Sequence, residues 1–555
     1  MSQALFLFPR SAKYKNMRAL LFLLISLPAF AGAIPERIET ALKDRIAAGE
    51  LPAAVVAMVD GENSAIEGFG ALADGKPPDG DTQFEIGSIT KTFTATLLAE
   101  EAVAGKLTLD TPLKILLPDF TLPRYEGREI ILAEIAEQHS GLPRLPDNFH
   151  PKDAADPYAD YDAASLKAFL AGYKLPRPPG ETYEYSNLAV GLLGYALARR
   201  HRETYRDLVA ARILKPLGMA SSGVGLPHPT QGYDAQGHPV GPWGWDALAG
   251  AGGIGSSGAD MLRYLKAYMG RIDTPLRAAM DLARTARRDA APNFRIGLIW
   301  MTSKAGDQSI IWHNGMTGGY ASFIGFTADG KKGVVILTNQ AQSVDMLGFA
   351  ALADAVPLAP GRKAIDLPAG QLDAYEGTYR LKDKFFITVT TGGGQLFARG
   401  TGQELFPLFA SGPDQFFAKI TDITLRFTRD GQGAVTGLVL HQGTDFPSPR
   451  VSEHDAAAEL GAIDLDGKTL RAYEGSYQLL PGQILTISAK DGHLQSRFND
   501  LPPSSLFPRS AERFFYLAVN AELDFQRGAD GQVSGLILHE GSQNLPAPKV
   551  IYQRR

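Results

Sequence analysis

Ser88 and Lys91 stand three residues apart where an extended polar stretch, residues 81–87, gives way to a helix-like run over residues 92–102. On a helix that spacing puts both side chains on one face. A serine hydroxyl is a weak nucleophile near neutral pH, and a neutral lysine amine within reach can take its proton, so the pair is equipped for acyl transfer through a covalent intermediate. Alone the spacing says little, because Ser and Lys three apart recur by chance in a long chain and most such lysines are solvated.

Two further stretches give it company. Tyr185-Ser186-Asn187 opens a second helical run, residues 188–199, after the turn Pro178-Pro179-Gly180. His313-Asn314-Gly315 closes an apolar strand, Ile310-Ile311-Trp312, and Thr317-Gly318-Gly319-Tyr320 follows. Taken singly, a Tyr before a helix is a half-buried aromatic and His-Asn-Gly is a turn. Together with Ser88 and Lys91 they form an ordered set.

That set resembles the penicillin-recognising serine hydrolase superfamily, in particular its class C β-lactamase-like branch with the D-aminopeptidases, D,D-peptidases and family VIII esterases. The family signature S-x-x-K, Y-x-N, then K-T-G or H-x-G is matched in that order. Gln138-His139-Ser140-Gly141-Leu142-Pro143 is similar to the family's H-T-S-G-L-P loop, and Ala251-Gly252-Gly253-Ile254-Gly255-Ser256-Ser257 to its A-G-G-L-x-S-T segment. The likeness covers about residues 36–355. It departs in one place: His313 stands where many β-lactamases and penicillin-binding proteins carry lysine, which weakens a β-lactamase reading and points to aminopeptidase-like or esterase-like substrates.

The resemblance implies roles. Ser88 is the nucleophile; Lys91 with Tyr185 removes its proton and Tyr185 returns one to the leaving group, with an anionic Tyr185 as the competing base. A lysine serving as base must drop about three pKa units, on the order of 4 kcal/mol, which burial or a neighbouring cation can supply. Backbone N–H groups of Ser88 and Met316 would hold the oxyanion. Asn187 would orient Lys91 and a substrate amide. His313 would steer a carboxylate or, when neutral, shape the pocket. Gly315, Gly318 and Gly319 would let substrate backbone approach the strand. Trp243, Trp245 and Tyr320 are expected to pack rather than to select substrate.

Composition suits an exported enzyme of several domains. The chain has 555 residues, 45% hydrophobic and 21% charged, a net charge of -5 and no cysteine. Disulfides, thiol nucleophiles and Cys-bound zinc are thereby excluded. The ten histidines show no ligand spacing, so no metal and no cofactor are expected. Without a basic stripe, nucleic acid is not an expected partner; a small-molecule or peptide substrate, cell-wall derived in one version, is.

Arg10, Lys13, Lys15 and Arg18 precede the apolar run of residues 19–25 and the small-residue sites Ala29-Phe30-Ala31 and Ala31-Gly32-Ala33, the pattern of a secretory signal, with translation starting at Met1 or Met17. The apolar run is shorter than the roughly 20 residues of a membrane span. Residues 1–33 are therefore read as a signal peptide and the product as periplasmic or secreted, meeting the membrane only through that segment before cleavage.

The layout expected for residues 34–356 is an α/β (α+β) β-lactamase-like sandwich: an antiparallel sheet plus a helical lobe, with the site at the seam. A helix after Pro35 carries Ile38, Leu42 and Ile46 on one face. Strands follow at 53–59 and 65–70, helical and loop-rich sequence fills 92–295, strands return at 310–312, 321–326 and 333–338, and a helix closes near 344–355.

After a linker at 357–370 the sequence repeats. Ala374-Tyr375-Glu376-Gly377-Thr378-Tyr379 returns as Ala472-Tyr473-Glu474-Gly475-Ser476-Tyr477, and Gly437-Leu438-Val439-Leu440-His441 as Gly535-Leu536-Ile537-Leu538-His539, at an offset of 98 residues. Each copy, 371–453 and 469–555 about a linker at 454–468, has the texture of a small antiparallel β-barrel. The pair resembles the lipocalin-like C-terminal domains of some hydrolases of the superfamily. His441 and His539 read as strand-end residues kept by duplication.

Three functions follow in order: a serine hydrolase of D-amino-acid peptides or amides, a carboxylic esterase or weak β-lactamase with the same machinery, and a catalytically silent binding protein that works through its barrels.

Overall fold

The computed structural model describes residues 34–550 apart from 227–228, 292–293, 402, 404, 422, 443, 481–482, 491, 500–503, 520 and 541–542. The targeting segment expected at 1–33 lies outside the described residues. Among the described residues no helix is long and apolar enough to cross a membrane.

Pro35 precedes α1 (Glu36–Ala47), whose acidic Glu36 and Glu39 in the first turn and Arg45 in the last suit the helix dipole. The strands β1 (Ala53–Asp60) and β2 (Asn63–Gly70) form a hairpin, and β3 (Gln83–Glu85) leads into the central helix α2 (Thr90–Val103). The helical lobe includes α3 (Asn187–His201), and β4 (Ile254–Ser257) feeds α4 (Gly258–Tyr268). Six strands then run in succession: β5 (Arg288–Ala291), β6 (Phe294–Ile296), β7 (Met301–Ala305), β8 (Gln308–Met316), β9 (Ala321–Thr327) and β10 (Lys332–Thr338). The helix α5 (Asp345–Leu352) follows.

The main sheet has the order β2-β1-β10-β9-β8-β7-β6-β5. The first strands are thus hydrogen-bonded to the last, with Val55 opposite Leu337 and Ala57 opposite Val335. Side-chain alternation in β1 serves two cores. Val55, Ala57 and Val59 face the helical lobe with Phe84, Phe93 and Leu97. Ala54, Val56 and Met58 face Ile38 and Leu42 of α1 and Leu347 and Ala350 of α5. Burial on both faces explains the unbroken apolar run of β1.

Two features differ from the sequence expectation. The helical and loop-rich reading of the sequence runs to residue 295 and gives no element to 296–305, yet residues 288–305 carry β5, β6 and β7, which extend the sheet beyond β8. β5 is the edge strand, and β5 and β7 are polar and half-exposed, so no apolar run announces them as strands. His313-Asn314-Gly315 does not close the strand either: β8 continues to Met316, with Gly315 opposite Ser322 and Met316 opposite Ala321. Local turn preference loses to the β9 ladder.

The C-terminal repeats are two closed eight-stranded barrels. The first strand of each pairs with its last, Tyr379 with Arg450 and Tyr477 with Lys549. The duplicated motif makes the same bonds twice: Tyr379 donates to the Tyr375 carbonyl and Tyr477 to that of Tyr473, both at 2.6 Å. The first barrel touches the hydrolase domain through Lys419, whose Nζ donates to the Ala235 carbonyl at 2.6 Å. Phe386, Ala456 and Ala457 join Phe507, Phe515 and Leu517 between the barrels.

Candidate active site

Ser88 lies in a single 3-10 turn, Gly87–Ile89, directly before α2. The turn is held from both sides. Ile86 N–H donates to the Ile254 carbonyl, and Thr90 Oγ1 accepts from Ile254 N–H. On the opposite side Ser322 Oγ donates to the Ile86 carbonyl at 2.9 Å. Gly87 has φ +49°, and a Cβ there would stand 2.6 Å from the Met316 nitrogen. The backbone of β8 is therefore packed directly against the turn that presents the serine.

Lys91, one helical turn on, is 0% exposed. Its Nζ donates to Ser88 Oγ at 2.8 Å and to the Ala251 carbonyl at 2.7 Å. Burial, and then the charge of Arg144, hold its pKa well below that of an ordinary lysine. The Ala251 carbonyl thus serves the lysine, and the Gly250 carbonyl before it accepts from Thr94 Oγ1 of the same helix. Sequence reasoning gave the orienting role to Asn187. Instead Asn187 Nδ2 donates to the Tyr158 hydroxyl at 2.9 Å, and its buried Oδ1 has no partner among the described residues.

Tyr185 stands across the site, with Lys91 Nζ 5.0 Å and Arg144 Cζ 5.4 Å from its ring centre. Burial pushes its pKa up to about 12, against the opposing pull of the Ser88 hydroxyl and the Arg144 charge. The Tyr185 segment is stapled to residues 138–144: Ser186 N–H donates to Gln138 Oε1, Ser186 Oγ to the Pro143 carbonyl, and Asn187 N–H to the Arg144 carbonyl. Ser186 Oγ also caps α3 by accepting from Ala189 N–H. His139, in the same loop, is buried and structural, its ring bonded to the Glu137 carbonyl.

His313 is 1% exposed, and its Nδ1 lies 2.6 Å from the Asn314 carbonyl. Burial, then the nearby Lys91, push its pKa down to about 3. It is a neutral ring across the physiological range. Met316 at the strand end is 36% exposed.

What the glycines admit within the fold is close approach of the chain itself. A Cβ on Gly315 would stand 2.0 Å from the Ile86 carbonyl oxygen, one on Gly318 2.8 Å from Trp243 Nε1, and one on Gly319 2.7 Å from Val240. Trp243 and Trp245 pack on Tyr158, and Tyr320 is buried with its hydroxyl donating to the Thr230 carbonyl.

Three groups escaped the sequence reading. Glu85 is buried beside the strand end, accepting from Thr317 Oγ1 at 2.7 Å and Trp243 N–H at 2.8 Å, and burial pushes its carboxyl up to about 7. Tyr158 is the aromatic partner of Asn187. Arg144 is exposed above the Tyr185 ring. Only Arg144 had a local signal, as the residue that ends the Ser140-Gly141-Leu142-Pro143 loop; Glu85 and Tyr158 arrive through tertiary packing.

A half-exposed serine, a buried low-pKa amine, a protonated phenol and two converging backbone segments are the parts of an acyl-transfer site. Residues 38–356 match the family model described as Beta-lactamase, and residues 361–458 and 461–553 each match the one described as Domain of unknown function (DUF3471). The chain is similar to the D-alanyl-D-alanine-carboxypeptidase/endopeptidase AmpH of Escherichia coli (strain K12), 26% identical over 369 residues, 62% of this chain and 94% of the relative. It is also similar to a beta-lactamase of Psychrobacter immobilis, 27% identical over 307 residues, 50% of this chain and 70% of the relative. Among solved structures a class C beta-lactamase superposes with a TM-score of 0.51 at 23% identity, over 58% of this chain and 97% of its own, which shows the shared fold.

Proposed function

The chain belongs to the beta-lactamase family, and on that premise we propose that it is an exported serine hydrolase that forms an acyl-enzyme on Ser88 and acts on D-amino-acid-containing peptides or amides. The observation that carries the reading is the 2.8 Å bond between Lys91 Nζ and Ser88 Oγ, made by an amine whose pKa burial holds well below that of an ordinary lysine. The likeness to a D-alanyl-D-alanine carboxypeptidase/endopeptidase supports the substrate class.

Acylation proceeds as Ser88 Oγ attacks the substrate carbonyl carbon and passes its proton to Lys91 Nζ. The negative charge that develops on the carbonyl oxygen is met by the N–H groups of Ser88 and Met316. Tyr185, a neutral phenol, delivers a proton to the leaving nitrogen and recovers one from Lys91. The C–N bond breaks and the acyl group stays on Ser88. Water then attacks the ester, its proton taken by the same Lys91–Tyr185 pair, and the acid leaves with Ser88 restored. Of the two bases the sequence left open, the pKa directions favour Lys91 over an anionic Tyr185.

A carboxylic esterase is the second reading, and the neutrality of His313 favours it: the strand beside the serine carries no fixed cation for a substrate carboxylate. The silent-binder reading gains no support from a base so fully prepared. The test is intact-mass spectrometry of the full chain with benzylpenicillin, alongside turnover of a D-alanyl-D-alanine peptide and an activated ester. An adduct or turnover that requires Ser88 upholds acyl transfer, and the preferred compound separates peptidase from esterase. A Ser88→Ala chain with the same turnover would overturn it.

A further inference from the structure

We infer that Arg144 is an anion-recognition residue, holding a carboxylate of the bound substrate beside Tyr185 and Asn187. The inference rests on the acyl-transfer reading for the ligand being a substrate, and adds where its charge is held.

The cations around the site divide sharply. Lys91 is buried, bonded and disposed to be neutral, and His313 is buried and neutral. Arg177 is paired with Glu184, Arg128 with Glu134, and Arg287 and Arg288 with Glu137. Arg144 is different: among the described residues no carboxylate lies within ion-pair distance of its guanidinium and no side-chain hydrogen bond is made by it. It is exposed, yet it is not loosely hung. Its carbonyl accepts from Asn187 N–H at 3.0 Å and Leu188 N–H at 3.2 Å, and its guanidinium lies 5.4 Å from the Tyr185 ring centre. The backbone that positions the cation is thus the backbone that starts α3.

A second observation points to a ligand at the same place. Asn187 Oδ1 is buried and unpartnered while its Nδ2 is committed to Tyr158. An unmet buried acceptor is unfavourable unless something donates to it, and an N–H of a bound amide is such a donor. An amide held there brings a neighbouring carboxylate within reach of a planar guanidinium, which suits two-pronged binding of that group. His313 on β8 is buried with its pKa pushed far down, which leaves a substrate carboxylate to Arg144.

The test measures binding by calorimetry to the full-length Ser88→Ala chain, with and without Arg144→Gln. The ligands are hexananilide, adipic acid monoanilide and N-hexanoyl-4-aminobenzoate: neutral, anionic on the acyl side, and anionic on the leaving-group side. We expect at least one anionic amide to bind about tenfold more tightly than hexananilide, a gain lost on Arg144→Gln and reduced by salt. The amide that shows it identifies the side. Equal binding of all three, or a gain that survives Arg144→Gln, overturns the inference. Because binding is read without turnover, failure of Ser88 as nucleophile would show separately, as absence of a Ser88-dependent adduct in the parent chain.

Discussion

Gly315 and Ile86 are packed so closely that a Cβ on the glycine would stand 2.0 Å from the Ile86 carbonyl oxygen, two residues before the serine. The contact is between backbones, so no rotamer change relieves it. Gly315→Ala is expected to destabilise the chain by about 1–3 kcal/mol, the usual cost of overpacking, and to reduce Ser88 acylation as the turn moves from the Met316 nitrogen. Urea unfolding with adduct kinetics checks both. Wild-type behaviour would mean that β8 does not set the serine.

Lys91→Met retains volume and removes the amine. Acylation is expected to fall by about a hundred- to ten-thousandfold, the range of general-base catalysis, with the fold kept. Stability carries a second signature. The pKa of Lys91 is lower in the folded chain than the 10.5 of a free lysine, so the unfolded chain binds more protons and stability rises as pH climbs toward 10.5. That slope should be smaller in Lys91→Met, as read by unfolding at pH 7 and pH 10.

The pH profile distinguishes the two bases. With Tyr185 pushed up to about 12, an acylation rate that depends on a protonated phenol should show no alkaline loss before about pH 10, and its acid limb belongs to Lys91. Tyr185→Phe should slow acylation by about a hundredfold without shifting that acid limb. A limb that disappears in Tyr185→Phe would assign it to the tyrosine instead.

Glu85 predicts a stability trend of opposite sign. Its carboxyl, pushed up from 4.5 to about 7, binds a proton more readily when folded, so its stabilising contribution is present below pH 4.5 and is lost as pH rises toward 7. The shift corresponds to about 3 kcal/mol at 1.36 kcal/mol per unit. Glu85→Gln should match the parent at pH 4.5 and exceed it in urea unfolding at pH 8. Parallel pH curves for the two chains would show that Glu85 does not carry the trend.

What the sequence made legible followed from local pattern or from order along the chain. The β1–β2 hairpin, α1 and the β9–β10 strands are apolar runs with turn signals between them. Ser88, Lys91 and Tyr185 sit at helix starts marked by preceding turns, and they converge in the structure. What stayed hidden depends on residues far apart in sequence. The Ala251 carbonyl that orients Lys91, Tyr158 that takes up Asn187, and Ile86 that requires Gly315 carry no signature at their own positions. The polar strands β5 and β7 were missed because only their neighbours in the sheet make them strands. The glycines after β8 were visible as small residues, but what their smallness admits could be read only from Trp243 and Val240.

Each C-terminal barrel is closed by pairing its first strand with its last, Tyr379 to Arg450 and Tyr477 to Lys549. The chain therefore enters and leaves each unit at neighbouring points, like beads with both thread holes on one side. A unit of this kind can stand in tandem with a copy of itself without either being threaded through the other. Excising the second copy would uncover the patch around Phe386, Ala456 and Ala457 and remove the Leu517 carbonyl to which Arg399 donates, yet leave every strand of the first with both of its neighbours.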